Sequence, residues 1–217
     1  MARPTKKTKP LIYVFCEGES EQAYADFLKK TFSEIAVVKR PKATGLFEEA
    51  RDKFKKDKSY RDNAEVIDEI WFFFDVEKDQ RNKWDERLKI IKSLRKLRSK
   101  PGIKVRLLMT TACIEYWLML HYKKYTPDIE TPADKQRIFH EVQGQEKGYE
   151  KGDYPSTARI AERYPTAVKN ARDVLTELLQ EGLPELADTD ERNRWLYLSS
   201  KSFSTVFEAI VFLESLK

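Results

Sequence analysis

Glu17, Glu19 and Glu21 fall within five positions of one another, Asp75 and Glu77 stand two apart behind the aromatic run Ile70–Phe74, and Glu115 opens a later apolar stretch. Carboxylates drawn that close repel by about 1 kcal/mol or more per pair at about 4 Å, depending on the local dielectric, so a positive partner is expected between them. A hard divalent cation such as Mg²⁺ or Mn²⁺, bound through oxygen ligands, meets that need. The set expected to hold it is Glu17, Asp75 and Glu77, with Glu115 as a further acid at the same edge. A plainer reading stands beside it, since acids that follow strands often cap helices, and Glu19 and Glu21 in a first turn are favoured by the helix dipole. For those two the capping role is preferred. Asp75 differs, because it closes an apolar run without a helix start of its own.

These acids need elements to hold them. LIYVFC (11–16) suits a short buried strand, and Tyr24, Phe27, Leu28 and Phe32 recur at helical intervals across 19–32, which places Glu17 at a strand-to-helix turn. A weaker strand is expected at 35–38 and a charged helix at 45–58. The next strand, IWFFFDVEKD, is apolar throughout Ile70–Phe74, as suits a strand covered on both faces. A helix over 82–98, closed by Pro101-Gly102, leads to a strand at 105–109 and then to a helix in ACIEYWLMLHYKKY (112–125). Four strand–helix alternations predict an α/β fold, a mostly parallel four-stranded sheet flanked by helices, whose ligand site lies beyond the carboxyl ends of the strands. Beyond residue 125 the pattern turns helical, with candidates at 133–141, 156–163, 166–181 and 203–216. The expected organisation is a basic flexible tail (1–10), an α/β domain (11–125) and a helical extension (126–217) packed on the same core.

The 217-residue chain is 41% hydrophobic, enough for one core with an appended helical part, and has a net charge of +5. Arg3, Lys6, Lys7 and Lys9 carry four of those five positive charges, so charge alone argues only weakly for nucleic acid. The apolar run Leu11–Cys16 is shorter than the about 7–15 residues of a signal core, and Ile114–Leu120 falls far short of the roughly 20 residues of a membrane helix. A cytoplasmic protein with no membrane association is expected. Two cysteines, Cys16 and Cys113, support neither a disulfide framework nor a zinc site, and without a nearby His partner they are expected to be packing residues.

The blocks VFCEGESEQAYADFL, WFFFDVEKDQ, TTACIEYWLMLHYKKY and SKSFSTVFEAIVFLESL, in that order, resemble the RloB-like family of bacterial and archaeal proteins built on a Toprim domain. Toprim domains occur in topoisomerases, primases and overcoming-lysogenization-type nucleases, where a Glu after the first strand and an Asp-x-Asp after a later one organise divalent metal for phosphodiester chemistry. The resemblance matches Glu17 to the first glutamate and Asp75 and Glu77 to the acidic pair. Glu77 stands where the second aspartate is usual, with Asp79 two further on. Glu115 falls in the family's E-x-W block. The resemblance implies a Mg²⁺- or Mn²⁺-dependent endonuclease acting on DNA or RNA in anti-phage defence with an AAA-type ATPase partner. A non-catalytic nucleic-acid-binding or regulatory subunit, or a nucleotidyl-transferring enzyme, would carry the same residues.

For a nuclease, Glu17 acting through water is the candidate general base, and Lys39, Arg40, Lys42, His121, Lys123 and Lys124 are candidates to contact phosphates. The rival account of each is an ordinary solvated charge. The cluster Lys92, Arg95, Lys96, Arg98 and Lys100 reads as a solvated helix face, because Leu94 and Leu97 face inward, with a DNA-binding groove as the rival account.

Overall fold

The structure is a computed structural model that describes residues 9–98 and 101–217. Most of the basic stretch 1–10, and Lys100 of the second basic cluster, lie outside the described residues. Four strands, β1 (Leu11–Cys16), β2 (Val37–Lys39), β3 (Ile67–Val76) and β4 (Lys104–Thr111), form one all-parallel sheet in the order β2-β1-β3-β4. Val14, Phe15, Phe72 and Phe73 are at most 1% exposed, so the two central strands are covered on both faces, which is why they read as unbroken apolar runs. Strand order reverses between β1 and β3. In an open parallel sheet that reversal leaves a crevice over the two carboxyl ends, where Glu17 and Asp75 stand. Asp75 itself lies inside β3, paired with Thr110 of β4, one residue before the strand's last, Val76, and not past its end.

Helix α1 (Glu19–Thr31) follows β1, α2 (Phe47–Lys56) is the helix expected at 45–58, a further helix α3 (Lys58–Asn63) is divided from it at Asp57, and α4 (Trp84–Arg95) follows a 3-10 turn at Lys78–Lys83. Asp57 makes that division, its carboxylate accepting the Ser59 N–H at 2.8 Å to start α3. The helix expected over 112–125 is only α5 (Ile114–Met119). Beyond it the bonds shorten to three-residue turns, His121 N–H to the Leu118 carbonyl and Tyr122 N–H to that of Met119, while Asn170 Nδ2 takes the Leu120 carbonyl at 2.8 Å. A tertiary partner therefore ends a helix that local periodicity would have continued.

The later elements are α6 (Pro132–Gln145), α7 (Tyr154–Ala161), α8 (Tyr164–Leu178), α9 (Asp190–Leu198) and α10 (Phe207–Glu214). Their buried faces, among them Ile138, Val142, Ile160, Leu175, Leu196 and Ile210, join the core cluster of the sheet. Helix α9 was not anticipated, because its run of charges hides an inward face on which Arg192 is 0% exposed. The helix expected at 203–216 starts late because Ser202–Thr205 runs along the free edge of β4 before the chain turns into α10 at Val206. Thr111 N–H bonds the Phe203 carbonyl at 3.0 Å, Thr205 N–H that of Met109 at 2.8 Å, and Thr110 and Ser204 form an antiparallel bridge. This covers an edge that would otherwise offer unpaired backbone groups. No helix among the described residues is long and apolar enough to cross a membrane.

Candidate functional site

The turn after β1 continues the ladder by one residue, Glu17 N–H bonding the Phe73 carbonyl at 3.0 Å, and so fixes Glu17 over the neighbouring strand. Its carboxylate Oε2 accepts the backbone N–H of Asp75 at 2.9 Å. Two acids 58 residues apart in sequence thus meet at the switch point. At the start of α1, Gly18 donates its N–H to Glu21 Oε2 at 2.9 Å, the reach-back bond of a capping box. Glu21 does cap the helix, as its position suggested. It is also 4% exposed and belongs to the acid cluster.

Glu115 arrives by a strained turn. Cys113 N–H bonds the Thr111 carbonyl at 2.7 Å across Ala112, which has φ +64°. A γ-turn of this hand is rare for a residue with a side chain. It drops the chain from β4 straight into α5, and Glu115 in the first turn is 1% exposed. Its Oε1 is 3.2 Å from the Tyr149 hydroxyl and 3.3 Å from Lys151 Nζ. Glu115 Oε2 and Asp75 Oδ1 are both buried without a hydrogen-bond partner.

The electrostatics follow from that crowding. Burial first, then the charges of Glu21, Glu17 and Glu115, hold the Asp75 carboxyl well above the usual carboxylate range, with Lys135 opposing. Glu21 is pushed up to about 7 by burial and by Glu17 and Glu115. Glu17 is raised by burial, against the Asp75 N–H and the Arg87 charge. Carboxylate oxygens crowded into a poorly solvated rim, two of them unpartnered, are the donor chemistry a hard divalent cation takes. Glu77 is oriented otherwise. Its Oε1 is ion-paired to Lys135 Nζ of α6 and its Oε2 is 3.4 Å from Gln80 Nε2. Among the described residues no three His, Cys, Asp or Glu side chains stand together in a metal-holding group. The oxygen donors suit a hard cation in type, though not preassembled as a three-acid group: Glu17 sits on the Asp75 backbone, and Glu77 would have to leave Lys135 to join them.

A cleft of about 370 Å³ opens beside Glu77, walled by the cations Lys78, Arg81 and Lys135 and also by the acids Asp79 and Glu130. Arg87 of α4 is 7% exposed and boxed by the rings of Phe47, Phe74 and Tyr197 at 5.1–5.3 Å. Its guanidinium donates to Gln80 Oε1, leaves Nη1 unpartnered, and opposes the rise of Glu17. Arg87, Lys135, Tyr149 and Lys151 escaped the reading of the sequence. Only Arg87 left a signal there, as a charge on the inward 84/87/91/94 face of an otherwise apolar stripe.

The expected phosphate contacts fare differently. His121 is a core residue, 1% exposed, with Nε2 3.1 Å from the Tyr24 hydroxyl and Nδ1 3.0 Å from the Trp117 carbonyl. The local pattern placed it on a polar helix end, but α5 had already stopped and the chain turns it inward. Arg40 is spent on a two-pronged pair with Asp26 at 2.9 and 2.6 Å, Lys123 lies 3.2 Å from Glu141, and Lys124 pairs with Glu177. Lys39 is exposed and lies 5.8 Å over the Tyr13 ring, and the Lys42 carbonyl accepts from Gln22 Nε2 at 3.3 Å. Burial drives the Cys16 and Cys113 thiols far above their usual range, which leaves them packing residues and not nucleophiles.

Burial also lowers the His121 pKa to about 3. The folded protein keeps His121 neutral while the unfolded chain takes up a proton below about 6.5, so the stability it contributes is present above that pH and lost as pH falls toward 3. Against His121→Gln, urea unfolding of the parent should show an extra loss of about 1.4 kcal/mol per pH unit between pH 6 and 4. Parallel stability curves for the two proteins would remove this assignment.

Among known families, the one described as RloB-like protein matches the chain over residues 12–210. No curated protein and no solved structure matches it.

Proposed function

The chain belongs to the RloB-like family, and on that premise we propose that it is a metal-dependent, Toprim-type nuclease that cleaves phosphodiester bonds in DNA or RNA, in anti-phage defence alongside an AAA-type ATPase. The observation that carries this reading is the seat of the Glu17 carboxylate on the backbone N–H of Asp75 at 2.9 Å over the switch point, with unpartnered buried oxygens on Asp75 and Glu115. Glu17 and Asp75 would hold Mg²⁺ or Mn²⁺, Glu77 would join them on release from Lys135, and Glu115 and Glu21 supply further negative charge. A cation bound there would polarise the phosphate and lower the pKa of an attacking water.

The chain's own groups have separate tasks. Glu17, its orientation set by the Asp75 N–H, would take up the proton of the attacking water through a bridging water. Lys78, Arg81 and Lys135 line the neighbouring cleft and meet the phosphate charge. Arg87 steadies Gln80 and, through it, the segment that carries Glu77. Free, buried cysteines at both rim-bearing turns suit the reducing cytoplasm.

Purified protein should cleave labelled DNA or RNA in Mg²⁺ or Mn²⁺ and not in EDTA, and Glu17→Gln should lower the rate at least about 100-fold while circular dichroism stays unchanged. Cleavage of equal strength in EDTA would end the metal reading. A second reading, a non-catalytic nucleic-acid-binding subunit, draws on the lysine-held Glu77 and the lack of a preassembled three-acid group among the described residues. It expects binding without cleavage, also when the ATPase partner is added.

A further inference from the structure

The C-terminal arm delivers two ammonium groups to the acid rim, and neither lies where a surface lysine would be spent at random. Lys135 sits in the first full turn of α6, a helix pinned by Ile138 and Val142 at 0% exposure, and its Nζ pairs with Glu77 while its charge also acts on Asp75. Lys151 lies in the loop before α7, with Nζ 3.3 Å from the buried Glu115. That loop is bolted to the first turn of α1. Gly152 N–H bonds Ser20 Oγ at 3.0 Å, and Gly152 has φ +76°, with a Cβ there falling 3.0 Å from Glu19 Cβ. The backbone under each lysine is therefore fixed, while the side chains, 36% and 60% exposed, keep rotamer freedom at their tips.

Resting on the metal-site reading above, we propose that Lys135 is an exchangeable counter-ion of this site: it neutralises Glu77, competes with a divalent cation for it, and turns to the phosphate of a nucleic acid when the cation takes the carboxylate, while Lys151 neutralises the neighbouring Glu115. Coulomb's law requires the competition, because an ammonium and a divalent ion cannot both sit on the same carboxylate oxygen without repelling. Geometry supplies the second half. Lys135 forms a wall of the cleft beside Glu77, so an ammonium freed from Glu77 is already next to the space a phosphate would occupy. The arm is then part of the active site and not only a cover for the sheet.

The test measures metal and substrate separately. Mn²⁺ binding, followed by the paramagnetic resonance of the free ion, should tighten about two- to five-fold in Lys135→Met and in Lys151→Met, the range expected from losing a partly exposed ion pair. Binding of a single-stranded oligonucleotide in Mn²⁺ should weaken at least about five-fold in Lys135→Met, and Lys135→Arg should restore it. A merely structural lysine would move both affinities in one direction or neither. Unchanged or weaker Mn²⁺ binding in Lys135→Met, with the parent binding normally, overturns the exchange and leaves the metal site standing. A parent that binds no Mn²⁺ overturns both.

Discussion

Asp75→Asn should melt at a higher temperature than the parent at neutral pH and yet be inactive. The reason lies in the sign of its shift. Burial and the charges of Glu21, Glu17 and Glu115 raise the folded-state pKa of Asp75 above its unfolded value of 3.8. The folded chain then binds that proton more tightly, so the contribution is fully present below about pH 4 and is lost as pH rises toward the folded value. Each unit of pKa difference costs about 1.4 kcal/mol once that range is crossed. Asn removes the charge and leaves the Asp75 N–H free to keep its bond to Glu17. In a chain of this length about 1 kcal/mol corresponds to roughly 2–4 °C, so scanning calorimetry in EDTA should show a rise of several degrees at pH 7.5 that vanishes at pH 4. Mn²⁺ should raise the melting temperature of the parent and not that of Asp75→Asn. A variant that melts lower than the parent at pH 7.5 would show that Asp75 is a satisfied structural carboxylate. The whole reading of the rim would fall with it.

The second large effect lies at the opposite end of the sheet. Arg192 of α9 is 0% exposed and donates to the Glu208 carboxylate, to Asp188 Oδ1 at 3.3 Å, to the Leu186 carbonyl at 3.0 Å and to Asn193 Oδ1 at 2.8 Å. Asp188 in turn lies 2.8 Å from Lys104 on β4, and Arg106 beside it pairs with Glu69 of β3 at 2.8 Å. This network ties the last helices to the edge strand. Glu208 is raised by burial even with Arg192 opposing it, so removing the guanidinium strands a buried carboxylate. Arg192→Met should cost about 3–5 kcal/mol in urea unfolding, and Arg192→Met combined with Glu208→Leu should recover more than half of it. A single substitution costing under about 1 kcal/mol would show that the pair contributes no more than a surface salt bridge.

These two sites differ in how far the chain announced them. Glu17 and Asp75 were legible because each follows or ends an apolar run that can only be a buried strand, and parallel strands present their carboxyl ends to one edge. Glu21 was half legible. Its capping bond to Gly18 follows from local spacing, whereas its burial against Glu17 and Glu115 does not. Arg192 sat unnoticed in a run of charges, since a stretch rich in Asp, Glu and Arg carries no apolar period to mark its inward side.

His121 shows the limit from the other direction. The sequence around it continues a helical pattern to residue 125, and a polar residue at the end of such a helix belongs on the surface. The Asn170 bond to the Leu120 carbonyl and the three-residue turns after Met119 ended the helix early, and the imidazole went into the core.

What the sequence determined by itself is the set of strands, their parallel arrangement and the edge at which Glu17 and Asp75 assemble, because apolar periodicity and strand polarity are properties of neighbouring residues. Only the tertiary structure decided which cations answer those acids. Lys135 and Lys151 come from an arm more than fifty residues beyond Asp75, and a pairing between distant polar groups depends on how the arm packs, not on any pattern written near either partner.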